Sequence, residues 1–195
     1  MLKPVRTSAP STAPVSVADA KAHCDVTYSD DDDLFTALIE AATAHLDGWT
    51  GILGRCLVTQ SWQVSFYDWP ASGDIRLPFP DVSAITSVKY YDTDNAEQTV
   101  SSSLYELIED ERGAIVRFLD SFTSPSVYDD RTDAVNIVFV AGYGAASAVP
   151  GAITTAIKMM VANWYETREA TTPQQMTEVP MGAQMLLAPY RRGLI

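Results

Sequence analysis

The stretch VNIVFVAGYGAASAVPGAITTAIKMMVANWYETRE, residues 135–169, decides the fold because a strand pattern and a helix pattern meet within it. Its first residues form a short run rich in valine and isoleucine, which is typical of a buried strand. Pro150 lies in the first turn of the helix that follows, where its missing N–H costs nothing. The next apolar residues recur at helical intervals, so we expect them to face a core. This core helix stripe consists of Ile153, Ile157, Val161 and Trp164.

Upstream of this stretch, short strands are predicted throughout residues 57–148. LVTQSWQVSFYDWP (57–70) alternates, with Val58, Gln60, Trp62, Val64 and Phe66 on one side, which is the period of a strand. Turn segments such as ASGD, DTDNAE and EDERG separate the later runs. This spacing favours an antiparallel meander or a small barrel over alternating βαβ units. The later strands are predicted at 74–79, 84–92, 97–100, 103–109, 113–119 and 133–143.

Two helices are predicted near the N-terminus. Ser16 is a candidate cap for a short helix over 17–24, and Ser29 is a candidate cap for a second, longer one. The acids at 30–33 crowd the first turn of the second helix, where the helix dipole favours negative charge. Steps of three or four predict its apolar face. That predicted face consists of Leu34, Leu38, Ala41, His45 and Trp49.

Together these patterns predict an α+β protein. Two N-terminal helices and one C-terminal helix form a small bundle, an antiparallel β module is inserted between them, and an extended C-terminal tail follows. The predicted parts are a flexible arm at 1–15, the helical bundle at 16–56 and 149–170, the β module at 57–148, and the C-terminal docking tail at 171–195.

The distribution of charge argues against a protein that grips nucleic acid. The chain has 25 acids and 13 bases, and residues 57–148 alone carry 14 acids and 5 bases. Such a surface repels phosphate groups. The N-terminal residues lack the apolar core of a signal peptide, and no stretch approaches the roughly 20 apolar residues of a membrane span. The two cysteines, Cys24 and Cys56, are expected to be free thiols.

The segments that could carry chemistry are better explained by structure. The consecutive acids at 30–33 cannot converge on one calcium ion, and DTDNAE (92–97) lacks the glycine and glutamate of a calcium loop. AGYGAA (141–146) has neither the GxGxxG pattern nor the lysine of a phosphate loop, so we interpret it as a hinge. His45 is expected to be a packed residue rather than a base. The sequence therefore predicts no catalytic residue, no cofactor and no metal.

The tail carries more apolar residues than a disordered end requires. Pro173, Pro180 and Pro189 forbid one long helix within it. Such a segment docks either on its own domain or on a partner, and we favour the partner. Two arginines would steer it towards an acidic surface. The predicted docking residues are Met181, Met185, Leu186, Leu187, Tyr190, Arg191, Arg192, Leu194 and Ile195.

Several segments in their order along residues 16–170 resemble the head–tail connector, or adaptor, proteins of long-tailed phages and gene transfer agents. SVADAKAHCDV is similar to the family's first helix, and DDDLFTALIEAATAHLDGWTGILGRCLVTQSW is similar to its second helix, turn and first strand. IRLPFPDVSAITSVKYYD resembles its central strand. The stretch at 135–169 resembles its closing strand, its Gly-Tyr and Val-Pro pairs, and its Trp-Tyr-x-x-Arg-Glu helix. Cys24-Asp25 and Asp81-Val82 depart from the usual Leu-Arg and Pro-Val.

The resemblance implies a structural, non-enzymatic protein of the virion neck, made in the bacterial cytoplasm. In that family, copies form a homo-oligomeric ring, typically of 12, beneath the portal protein. The ring extends the DNA channel without binding a specific sequence and supports a stopper or tail-terminator protein. The C-terminal segment is the part that reaches the portal, or a neighbouring subunit, which would explain the docking tail. No membrane contact is implied.

Two other functions stay open from the residues alone. A free-standing β-type binding module would need no ring, and its tail would fold back on its own domain. An enzyme with an unrecognised site would need a pocket with convergent polar groups. The sequence supplies no candidate set for such a pocket.

Overall fold

The computed structural model describes residues 1–70, 73–167 and 180–192. Helices and strands are mixed within it, which confirms the predicted α+β class. The elements are β1 (Val5–Ser8), α1 (Val17–His23), α2 (Asp32–Leu46), β2 (Gln60–Phe66), β3 (Asp74–Arg76), β4 (Val82–Tyr91), β5 (Glu97–Thr99), β6 (Tyr105–Asp110), β7 (Gly113–Phe118), β8 (Val135–Ala141), α3 (Gly151–Thr167) and α4 (Met181–Leu187). Single turns of 3₁₀ helix lie at Ser102–Leu104, Ala146–Ala148 and Ala188–Tyr190.

The chain divides into two compact units. Residues 1–10 and 59–142 form the first, here called the β unit, and residues 11–58 and 143–195 form the second, here called the helical unit. Each unit has its own buried apolar side chains. No helix in the described part of the chain is long and apolar enough to span a bilayer.

The larger sheet of the β unit has the strand order β1-β2-β8-β4-β5, with every neighbouring pair antiparallel. The predicted meander is wrong for this sheet because β8, the last strand, lies between β2 and β4. β8 pairs with β2 along one edge and with β4 along the other, so its backbone is hydrogen-bonded on both sides. Val135, Ile137 and Phe139 are all fully buried.

The alternation predicted for the first long strand is confirmed over most of its length, although Phe66 is half-buried and the buried Val58 precedes β2. Gln60, Trp62 and Val64 of β2 are buried, and the residues between them are half-buried. Trp62 lies opposite Phe139 of β8, and its ring centroid is 4.8 Å from that of Phe79. This aromatic contact helps to fix the register of β2. A slip by one residue would move Gln60, Trp62 and Val64 to the other face of the sheet.

A buried asparagine of this sheet has hydrogen-bond partners for its side chain. Asn136 of β8 is only 7% exposed. Its carbonyl oxygen accepts hydrogen bonds from Gln63 at 3.0 Å and Ser65 at 2.6 Å, and its amide nitrogen donates to the backbone of Asp133 at 2.9 Å. A buried amide with such partners avoids the cost of desolvation.

The smaller sheet of the β unit has the order β3-β7-β6 and is also antiparallel. Beside it lies an aromatic cluster in which the rings of Phe118 and Phe122 stack at 4.5 Å. Trp69 contacts both rings and donates its indole N–H to the carbonyl oxygen of Pro125 at 2.9 Å.

The flexible arm predicted at 1–15 is wrong for its first residues. Val5–Ser8 form β1 and pair with β2, and the N–H of Leu2 donates to the carbonyl oxygen of Ser65 at 2.7 Å. All four residues of β1 are exposed, as befits an edge strand. The Pro and Ser content of the segment indicated mobility, whereas the open edge of β2 offers these residues a partner.

The buried face of α2 differs from the predicted one by a single position. Phe35, Ile39, Ala42 and Leu46 are buried, whereas Ala41 and Trp49 are exposed. Both sets have helical spacing, so periodicity alone could not choose between them. The cap also differs, because α2 begins after Asp31 and not after Ser29.

Helix α3 carries the core helix stripe that its periodicity predicts. Ile153, Ile157 and Val161 are fully buried, and Trp164 is half-buried at the margin of the same cluster. The helix contacts α1, α2 and α4, so its buried side is the centre of the helical unit. Each fully buried aliphatic side chain contributes about 1.5–3 kcal/mol through burial.

Candidate docking surface in the C-terminal segment

The C-terminal segment is folded over residues 180–192, in contrast to the predicted extended tail. Pro180 immediately precedes α4, and Pro189 lies in the 3₁₀ turn that ends it. The two prolines therefore bracket a helix of seven residues instead of preventing one. Proline is tolerated at helix ends, where its missing N–H is not needed.

One side of α4 packs onto the helical unit. Ala183 is fully buried and Leu187 is 1% exposed. Gly182 lies so close to α3 that an added Cβ would come within 2.7 Å of the Met159 methyl group. Close approach of this kind allows a short helix to contact its neighbour along its length.

The other side of α4 is open. Met181 and Met185 are each 73% exposed, and they lie four residues apart, one above the other on the helix. Arg191, which follows the 3₁₀ turn, is also exposed. Methionine adapts its shape to an apolar partner surface, which suits a docking residue.

The loop at residues 47–57 of the helical unit, here called the tight loop, holds the end of the described segment. The N–H of Arg192 donates to the carbonyl oxygen of Leu53 at 3.0 Å. Within this loop, the buried carboxylate of Asp47 accepts the N–H of Leu57 at 2.7 Å, and the N–H of Gly48 donates to the carbonyl oxygen of Arg55 at 2.9 Å. These bonds give the loop a fixed shape against which the tail can lie.

The structure divides the predicted docking residues into two groups. Leu187 belongs to the core, and Leu186 and Tyr190 are half-buried against it, so partner docking is wrong for Leu187. Met181, Met185 and Arg191 are exposed, and Arg192 is half-buried. The periodicity of Ala183 and Leu187 could have identified the packed side, had the two prolines been interpreted as helix ends. Leu194 and Ile195 lie outside the described residues.

Two features of the helical unit carry no recognisable sequence signal. The tight loop depends on Gly51, where a Cβ would come within 2.3 Å of the Leu46 backbone. The second feature is a network in which Tyr165 of α3 donates to the Asp31 carboxylate at 2.6 Å and contacts the Tyr28 hydroxyl at 2.8 Å. The hydrogen bond to Asp31 raises the pKa of Tyr165 far above its usual value.

Several of the acids in the two candidate calcium segments have structural partners. Asp32 forms an ion pair with Lys21 at 2.5 Å, and Asp31 binds Tyr165. In DTDNAE, Asp92 accepts the N–H groups of Asp94 and Ala96, each at 3.0 Å, which confirms the predicted hairpin turn. Within the ranges 1–70, 73–167 and 180–192, no three His, Cys, Asp or Glu side chains converge as metal ligands would.

Comparison with known proteins leaves the sequence unmatched but the fold well matched. No protein-family model and no curated protein matches the chain. A chain from the neck of the empty gene transfer agent particle, computed with C6 symmetry, matches with a TM-score of 0.80 at 20% identity, covering 100% of this chain and 97% of that one. A chain from the virion of the native particle matches with a TM-score of 0.79 at 20% identity and the same coverage.

A chain from the neck of the native particle, computed with C12 symmetry, matches with a TM-score of 0.73 at 19% identity, again over 100% and 97% of the two chains. Because these likenesses extend over the whole of both chains, they include the β unit, the helical unit and their order along the sequence. The resemblance inferred from the sequence is thus confirmed at the level of the fold, which this chain shares with gene transfer agent neck chains.

Proposed function

We propose that this chain is a structural subunit of a particle neck, a head–tail connector that forms a ring between the portal and the stopper or tail. The observation that carries the proposal is the likeness in fold to chains from gene transfer agent necks over 100% of this chain and 97% of each of those chains. A likeness restricted to one unit would be compatible with many functions, because common folds serve many proteins. A likeness that covers both units and their order along the chain is compatible with far fewer functions.

In this proposal, about twelve copies close into a ring by a head-to-tail contact. A neck chain with this fold comes from a particle neck computed with C12 symmetry. The ring extends the channel through which DNA passes. The excess of acids over bases supports a channel that does not retain DNA, since lysine and arginine contacts to phosphate are what hold it.

The C-terminal segment is proposed as the portal-binding part. Met181 and Met185 present two exposed apolar side chains on one helical face, while Leu187 on the opposite side ties α4 to the helical unit. Arg191, four residues after α4, is exposed and adds a positive charge to the segment. Leu194 and Ile195 would extend the same contact. An apolar helical face with a charged rim is a common way for one protein to enter a groove of another.

The alternative of a free-standing binding module is favoured by one observation, a cavity in the β unit. Its volume is about 230 Å³, and Trp69, Phe118 and Phe122 are among its lining residues. Ligand sites typically have about 300–1,000 Å³ and several convergent polar groups. The cavity is therefore small for a ligand site, and the connector is the better supported function.

The proposal is tested by binding the purified chain to its cognate portal ring. Three forms are compared, namely the full chain, a chain that ends at Ala170, and the full chain with Met181→Ser and Met185→Ser. The matched control is Tyr67→Ser, which removes a 59% exposed aromatic side chain of the β unit. We expect the full chain and the control to bind, the truncated chain to lose binding, and the double variant to bind at least about tenfold more weakly.

Two outcomes would contradict parts of this proposal. Binding that survives truncation would retain the connector role but place the portal contact outside the tail. A full chain that stays monomeric and does not bind the portal would overturn the connector role and favour the binding module.

A further inference from the structure

The cavity of the β unit is too small for most free ligands, but it has the size of a single side chain. Its volume is about 230 Å³, whereas typical ligand sites have about 300–1,000 Å³. At about 30 Å³ for each water molecule, roughly seven or eight waters would fill it. One long side chain of a partner protein occupies a space of this order.

Three aromatic rings border the cavity. The ring centroids of Phe118 and Phe122 lie 4.5 Å apart, and the Trp69 centroid lies 5.7 Å from the first and 5.2 Å from the second. Each of the three residues is only half-buried. The face of an aromatic ring carries partial negative charge and attracts a cation within about 6 Å of its centre. A cation that enters the cavity therefore comes close to more than one ring.

Asp120 adds a full negative charge at the same place. It is the one charged residue among the described residues that line the cavity. Asp120 is exposed, and no lysine, arginine or histidine in the described part of the chain forms an ion pair with it. By contrast, Asp110 pairs with Arg76 at 2.6 Å. An unpaired carboxylate beside aromatic rings favours a cationic partner.

Hydrogen bonds fix the position of this carboxylate relative to the rings. The N–H of Phe122 donates to the carbonyl oxygen of Leu119 at 2.8 Å, so the chain turns tightly there, with Asp120 as the second residue of the turn. The indole N–H of Trp69 donates to the carbonyl oxygen of Pro125 at 2.9 Å, which ties the Trp69 ring to the segment that follows the turn. The cavity is thus largely formed before any partner arrives.

Elsewhere in this chain, arginines already lie on aromatic faces. The guanidinium carbon of Arg131 is 3.5 Å from the ring centroid of Tyr91, and that of Arg55 is 5.6 Å from the ring centroid of Tyr143. Within residues 1–70, 73–167 and 180–192, no such cation lies over the three rings of the cavity. The rings are therefore open to a cation from another molecule.

The chemistry of the cavity favours arginine over lysine. A planar guanidinium stacks on an aromatic ring and can donate two parallel N–H groups to a carboxylate at the same time. The ammonium group of lysine is compact and strongly hydrated, so it loses more by leaving water. Arginine side chains in preformed pockets are also frequent centres of binding energy between proteins.

We infer that this cavity is a docking site for an arginine side chain of a partner protein, which stacks on the rings of Trp69 and Phe122 and donates its N–H groups to Asp120. The inference goes beyond the connector role and does not depend on it, because the cavity lies wholly within the β unit.

Titration of the full chain with N-acetyl-arginine amide tests this site, with N-acetyl-citrulline amide as the neutral probe of the same shape. The indole N–H signal of Trp69 is followed by nuclear magnetic resonance and assigned with Trp69→Phe. Asp120→Asn and Phe122→Leu remove the two attractions separately. The matched controls are Asp94→Asn, an exposed acid of another turn, and Tyr67→Leu, a 59% exposed aromatic residue that does not line the cavity.

We expect the arginine probe to shift the Trp69 signal saturably, with a dissociation constant on the order of 1–10 mM. The citrulline probe should bind at least about fivefold more weakly, because it lacks the charge. Asp120→Asn should weaken binding of the arginine probe about two- to fivefold, and Phe122→Leu at least about twofold. The two controls should bind as the wild type does. Added salt should weaken binding, since exposed charges are screened.

Three results would overturn the inference. They are no saturable shift up to about 50 mM of the arginine probe, equal binding of the two probes, and unchanged affinity in both Asp120→Asn and Phe122→Leu. A Trp69 shift that appears when the chain alone is concentrated, and is reversed by the arginine probe, would show that a second copy supplies the arginine and would overturn the assignment to a different protein. None of these results bears on the connector role, which portal binding decides.

Discussion

The backbone N–H of Arg192 donates a hydrogen bond to the carbonyl oxygen of Leu53, and this contact fixes the end of the described C-terminal segment to the helical unit. Gly54 beside it has φ +63°, and a Cβ there would lie 3.4 Å from the Arg192 Cβ. The tail is thus tied at two places, by Leu187 in the core and by Arg192 at the loop. It can present Met181 and Met185 from a fixed position.

Shortening Leu187 is expected to lower stability, whereas shortening Met185 is expected to weaken portal binding and leave stability nearly unchanged. Leu187→Ala removes a side chain that is 1% exposed and should lower the free energy of unfolding by about 2–5 kcal/mol. Met185→Ala removes a side chain that is 73% exposed and should change it by less than about 0.5 kcal/mol, yet weaken portal binding. Urea unfolding followed by circular dichroism, together with a portal-binding assay, checks both. Equal loss of stability in the two variants would contradict the division of α4 into two sides.

Gly51 is expected to tolerate no side chain. An alanine Cβ there would lie 2.3 Å from the backbone carbonyl of Leu46, and neither group can move without opening the loop. Gly51→Ala should therefore cost about 2–4 kcal/mol of folding free energy. Gly151→Ala is the control, since nothing lies within 4 Å of its added Cβ and alanine favours a helix by up to about 1 kcal/mol. A thermal midpoint for Gly51→Ala equal to that of the wild type would contradict the claim that the loop has no room for a side chain at this position.

Much of the fold follows from the sequence, and the differences have physical causes. The strand of Trp62 and the helix of Ile153 carry strong periodicities, so their positions were predictable. The buried face of α2 was misplaced by one residue because two apolar rows share its spacing. The position of β8 within its sheet depends on pairings distant in sequence, which no local pattern encodes.

The docking surface was predictable only in part. The apolar content of the tail indicated docking, but not which residues pack inward. That division depends on contacts of Ala183 and Leu187 with the helical unit, and on a loop whose hydrogen bonds involve backbone groups. Backbone hydrogen bonds leave no signature in side-chain identity, apart from the glycines they require.

The Tyr165–Asp31 hydrogen bond predicts a dependence of stability on alkaline pH. The pKa of Tyr165 is raised in the folded chain, so its contribution is complete below the unfolded value of about 10 and is lost as the pH rises above that value. Tyr165→Phe keeps the ring contact with Phe35, whose centroid lies 4.6 Å away, but removes the hydroxyl. Urea midpoints at pH of about 8 and about 11 should fall less for Tyr165→Phe than for the wild type. An equal fall in both would contradict the role of this hydrogen bond.

The most direct test of the proposed function is electron microscopy of the full chain bound to its cognate portal ring. The connector role predicts a closed ring of copies, about twelve in number, stacked coaxially on the portal with the α4 face of Met181 and Met185 against it. Single copies scattered on the portal, an open filament, or a chain that stays monomeric at every concentration would contradict it.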